Sequence, residues 1–108
     1  METTRILQEL QELTATNRKG VEALFEAEEE LAHAEAELDS VEARAFLDAE
    51  GSVAERTATA KLAASDFRLA RDVARASVTR IKTKLRVIES EIVAQSTMAK
   101  LLAAEARL

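Results

Sequence analysis

Along the first half of the chain, Ile6, Leu10, Leu13, Asn17, Gly20, Leu24, Ala27, Leu31, Ala34, Leu38, Val41 and Ala45 recur at alternating intervals of four and three. All but Asn17 and Gly20 are apolar, so the rhythm draws one stripe down a helix, the seam of a coiled coil. A second seam follows in the same rhythm: Thr57, Ala60, Ala64, Phe67, Arg71, Ala74, Val78, Ile81, Leu85, Ile88, Ile92, Gln95, Ala99 and Leu102. Between them lies Glu50-Gly51-Ser52-Val53-Ala54-Glu55. Its glycine suits a left-handed helix end, and Ser-x-x-Glu is a capping box that opens the next helix. The pattern predicts an all-α fold. It is a long antiparallel helical hairpin, a coiled coil with helices over 3–49 and 53–106 and a turn at 50–52, forming a single domain over 1–108.

Placing the turn at Gly51 sets the register. Leu38 then layers with Phe67, Val41 with Ala64, Ala27 with Val78, Leu24 with Ile81 and Leu13 with Ile92, several layers matching a large side chain to a small one. The same register predicts Glu42 beside Lys61, Glu35 beside Arg68 and Glu28 beside Arg75, at positions flanking the seam. Such exposed pairs are worth at most about 1 kcal/mol each, and they fix partner and register rather than hold the fold.

Two features depart from the pattern. Thr14-Ala15-Thr16-Asn17-Arg18-Lys19-Gly20 is a run of weak helix formers ending in glycine, which marks 17–20 as a candidate break in the first helix. Asn17 also enters the seam opposite Ile88, where a buried amide specifies register at a cost in stability. Beyond the seam, Phe25, Phe46, Leu47, Leu62, Leu69, Val73, Val87, Val93 and Leu101 fall on outward positions. Phe46, Leu47, Leu62, Leu69 and Val73 gather near the turn, more apolar area than an isolated hairpin leaves uncovered. They are the candidate interface for a homo-oligomer, an oligomeric helical bundle, or for another protein. A third helix folded back from the first twenty residues is the alternative cover.

Composition sharpens this. The 108 residues are 47% hydrophobic and 32% charged, with no Pro, Trp, Tyr or Cys and only three Phe. Much of the hydrophobicity is alanine, so a monomer buries a thin core. Without cysteine there is no disulfide framework or thiolate metal site. No apolar run approaches a membrane span, and the start has no signal-peptide core, so the expectation is a soluble cytoplasmic protein.

Charge is unevenly placed. Residues 1–54 carry 4 basic and 14 acidic side chains, a net of −10, and residues 55–108 carry 11 basic and 6 acidic, a net of +5. An acidic first helix is thus written to lie along a basic second one. Helix pairing leaves a surplus at Arg80, Lys82, Lys84 and Arg86, which suits a phosphate backbone, although no aromatic side chain lies nearby to stack bases.

Catalytic chemistry is sparse. The lone His33 sits on an outward position, no nucleophile has a base beside it, and Glu30-x-x-His33 occurs once, with no counterpart on the second helix for a two-metal carboxylate site. Glu26, Glu28, Glu29 and Glu30 read as a solvated face. No glycine-rich phosphate loop is present. The expectation is a protein that is not an enzyme, with no cofactor, metal, membrane or small-molecule substrate.

The stretch Glu42-Ala43-Arg44-Ala45-Phe46-Leu47-Asp48-Ala49-Glu50-Gly51-Ser52-Val53-Ala54-Glu55-Arg56-Thr57-Ala58-Thr59-Ala60-Lys61 joins Ala-Arg, an aromatic, a glycine turn, Glu-Arg and an alanine-rich helix. In this arrangement it resembles phage UvsY-type recombination mediators over roughly residues 25–105. The resemblance implies an oligomeric helical accessory protein of a phage, acting in a bacterial host's cytoplasm, that binds single-stranded DNA and helps load a recombinase. It would assign basic contacts to Arg44 and Arg56 beside the turn and to the Arg80, Lys82, Lys84 and Arg86 cluster. The chain departs from that family in being more acidic, richer in alanine and without tyrosine or tryptophan, which bears on DNA binding. The alternative is a coiled-coil protein-interaction module with no nucleic-acid contact, serving virion assembly or host takeover. An ESX-like hairpin belongs to the same class, but Asp48-Ala49-Glu50-Gly51 stands where those hairpins carry Trp-x-Gly.

Overall fold

In the computed structural model, which describes residues 2–107, the chain is all-α: α1 (Glu2–Asp48), α2 (Val53–Ala63) and α3 (Ser65–Ala106), with no strand among the described residues. Every residue of both predicted seams is buried or half-buried. The four-three rhythm therefore identifies the faces along which α1 pairs with α2 and α3.

Each end of the turn is closed by side chains. Gly51 has φ 108°, a backbone that requires glycine, and a Cβ there would also stand 2.7 Å from Glu55 Oε2 and displace that side chain's end. Ser52 caps α2: its Oγ accepts from the Glu55 N–H at 3.2 Å and donates to Glu55 Oε1 at 3.1 Å. Arg56 reaches back to the end of α1. Its Nε donates to the Phe46 carbonyl at 3.2 Å and its guanidinium lies 4.5 Å from the centre of the Phe46 ring.

The second helix was expected to run unbroken over 53–106 but is interrupted at Ala64, whose backbone (φ −93°, ψ 3°) leaves the helical well. The ladder continues through it, since the Ala64 N–H donates to the Ala60 carbonyl and the Arg68 N–H to the Ala64 carbonyl. Its neighbours are bonded by side chains instead: the Leu62 carbonyl accepts from Ser65 Oγ at 2.9 Å and the Lys61 carbonyl from Arg68 Nη1 at 3.4 Å. A serine hydroxyl competing for a helical carbonyl loosens the turn at that point.

The candidate break at 17–20 is absent, because α1 passes through it. Thr14 and Thr16 donate their hydroxyls to the carbonyls of Leu10 and Glu12, at 2.8 and 2.9 Å, without interrupting the helix. Gly20 serves packing: an added Cβ would lie 2.5 Å from Leu85 Cδ2. The first twenty residues therefore do not fold back as a third helix.

Two compact units are distinguished, Phe25–Thr79 and Met1–Leu24 with Arg80–Leu108. In the first, Ala27, Leu38, Ala60, Ala64 and Val78 form the buried core. Its flanking ion pairs join Glu42 to Arg68 at 3.8 Å and Glu35 to Arg75 at 3.6 Å. The expected partners Lys61 and Arg68 are thus replaced by residues one heptad further on, and Arg75, expected beside Glu28, is taken by Glu35. Helical side chains tilt toward their own N-terminus. Across antiparallel helices, two flanking side chains therefore converge when each backbone position lies beyond the shared layer, and diverge in the alternative originally expected. In the second unit, Ile6 and Leu85 are buried, the contact of Gly20 with Leu85 matches the expected register, and Gln95 Nε2 donates to Glu9 Oε2 at 2.9 Å. Asn17 Oδ1 is buried with no hydrogen-bond partner among the described residues.

The core is as thin as composition implies: among the described residues, three of the seven buried hydrophobic ones are alanine. The chain exposes 8136 Å². A compact monomer of 11.8 kDa exposes about 5,900 Å².

Candidate functional site

Cations between Arg68 and Arg86 of α3 fall into two groups. Arg68, Arg71 and Arg75 are engaged by Glu42, Asp72 and Glu35. Arg80, Lys82, Lys84 and Arg86 are exposed, and none makes an ion pair among the described residues. Of the basic residues beside the turn, Arg56 is committed to Phe46, whereas Arg44 is exposed and unpaired among the described residues.

Helical geometry divides the unpaired cluster. Residues four apart share a face, and residues two apart do not. Arg80 and Lys84 thus lie on one flank of the α3 seam, and Lys82 and Arg86 on the other. The same flank as Arg80 and Lys84 carries Asp66, Ala70, Val73 and Ser77, again at intervals of four and three. Treating the four as one cluster left this division out, although the spacing of two between its members was the signal.

The outward apolar side chains are exposed as expected, with Leu62 at 77%, Leu69 at 63% and Val73 at 62%, while Phe46 is half-buried beneath Arg56. They do not form one stripe with the residues at the turn. Phe46 and Leu47 line a groove with Ala43 and Ala60, whereas Leu69 and Val73 line another of about 670 Å³. The floor of this second groove includes Ala34, Ala70 and Ala74, and its rim carries Glu30, His33, Glu37 and Asp66. It is open because Ala70 and Ser77 occupy the flank opposite Arg68 and Arg75, so no long side chain crosses it. Composition gave no sign of this groove; the small residues at those heptad positions did.

Acid-base groups gather weakly. His33 Nε2 lies 3.8 Å from Glu29 Oε1, both well exposed. No group of three histidine or carboxylate side chains among the described residues is placed to hold a metal ion, and no helix is long and apolar enough to cross a membrane. Comparison with known proteins gives no match to any family model, curated protein or solved structure.

Proposed function

We propose that the chain is a non-enzymatic, self-associating helical accessory protein that binds the phosphate backbone of single-stranded DNA, the role suggested by its resemblance to phage recombination mediators. The observation that carries this reading is the contrast within α3: Arg68, Arg71 and Arg75 are ion-paired, whereas Arg80, Lys82, Lys84 and Arg86 stand exposed and unpaired among the described residues. Four cations without internal partners offer an electrostatic footprint for a polyanion. With no aromatic residue beyond Phe67, that segment has no stacking platform, so binding is weak for one subunit, indifferent to sequence and strengthened when an oligomer presents several copies. A recombinase is the protein partner this role implies, and the cytoplasm of a bacterial host is its compartment.

Fluorescence anisotropy of a labelled long single strand at low salt tests the reading. The chain should bind, and Lys82→Glu with Arg86→Glu should weaken binding at least tenfold while leaving helicity unchanged. Absence of binding by a demonstrably oligomeric protein favours the second reading, a coiled-coil module that recognises only protein, which the exposed Leu62, Leu69 and Val73 support.

A further inference from the structure

The two compact units carry opposite charge. Phe25–Thr79 holds 6 basic and 13 acidic side chains, a net of −7. Met1–Leu24 with Arg80–Leu108 holds 9 basic and 7 acidic, a net of +2. The groove beside Leu69 and Val73 belongs to the acidic unit: Glu30, Glu37 and Asp66 stand on its rim and alanines on its floor. It suits a helix that brings modest apolar side chains together with cations.

The chain itself contains such a helix. On α3, Arg80, Lys84 and Val87 follow one another at intervals of four and three, and beyond Glu91 and Ala94 the same flank continues with Met98 and Leu101. Val87, Met98 and Leu101 are exposed, and Arg80 and Lys84 are unpaired among the described residues. From Arg80 to Val87 the stripe measures about 10 Å, the same rise that separates Glu30 from Glu37. The excess exposed area, about 2,200 Å² over a compact monomer, is more than the roughly 800 Å² that each partner buries in a standard stable interface.

Resting on the reading that the protein self-associates, we infer that a second copy occupies this groove, laying the Arg80, Lys84 and Val87 flank of its α3 over Leu69 and Val73, with its cations against Glu30, Glu37 and Asp66. The occupant is chosen by charge: the basic unit of one copy meets the acidic unit of another. The contact uses Arg80 and Lys84 and leaves Lys82 and Arg86, on the other flank, available to a phosphate backbone.

A charge-swap experiment tests this by sedimentation velocity at 50 μM, with circular dichroism confirming helicity of every variant. All four substituted positions are exposed, so the helices should persist. E30K/E37K alone and R80E/K84E alone should each lose at least tenfold in association, because each sets like charges face to face. An equimolar mixture of the two should recover most of it, since positions 30 and 37 of each copy again face opposite charges at 80 and 84 of the other, with Asp66 of the E30K/E37K copy the one like-charge contact left. Wild-type association that survives in both variants, or variants whose mixture stays as weak as either alone, overturns the groove as the interface while self-association stands. A wild-type chain that is monomeric at this concentration overturns self-association itself.

Discussion

Gly20 and Gly51 are the chain's two glycines, and different constraints hold them. Gly51 is fixed by its positive φ and by Glu55, so Gly51→Ala should cost about 1–2 kcal/mol in urea unfolding. Gly20 has ordinary helical backbone but no room, since a Cβ would meet Leu85 Cδ2 at 2.5 Å. Alanine gains about 1 kcal/mol of helix propensity there, against 1–3 kcal/mol of overpacking strain. The expected result for Gly20→Ala is a net loss of about 1 kcal/mol that shrinks in a Leu85→Val background, and additivity of the two changes would contradict the contact. Asn17 works in the opposite direction. Its buried, unpartnered Oδ1 makes Asn17→Leu stabilising by about 1–2 kcal/mol, and a loss of stability on that change would show that the amide is satisfied.

At the scale of the elements, pairing of the helices was written in the hydrophobic rhythm, and all seam positions proved at least half-buried because a heptad repeat leaves an antiparallel pair little choice of face. The partners of the flanking charges were less legible. Counting residues places Glu35 level with position 70, two residues from Arg68 and five from Arg75, so the count favours Arg68 and the tilt of the side chains selects Arg75. A double-mutant cycle should therefore give coupling of a few tenths to 1 kcal/mol for Glu42 with Arg68, and none for Glu42 with Lys61. The interruption at Ala64 and the continuity through Gly20 were hidden for one reason: local propensity counts serine and glycine by type, whereas Ser65 acts through the Leu62 carbonyl and Gly20 through Leu85.

For the whole molecule, charge speaks more clearly than shape of any pocket. Net charge alone, −5, argues against a polyanionic partner, and only the ion-pair pattern shows which cations remain after the helices have satisfied one another. The candidate site was thus half legible: the cluster was visible in the sequence, but its division between two flanks, and the groove on one of them, depend on heptad position. On the proposed reading, Lys82 and Arg86 from each of two copies would neutralise four phosphates. Each contact on a single strand contributes about −0.7 to the slope of log affinity against log salt, so the slope should be about −3. The most direct measurement is that salt titration on a long single strand between 50 and 200 mM, read by anisotropy. A fall in affinity of about fiftyfold is the expected result, and affinity that is absent at the low end or indifferent to salt would contradict DNA binding by α3.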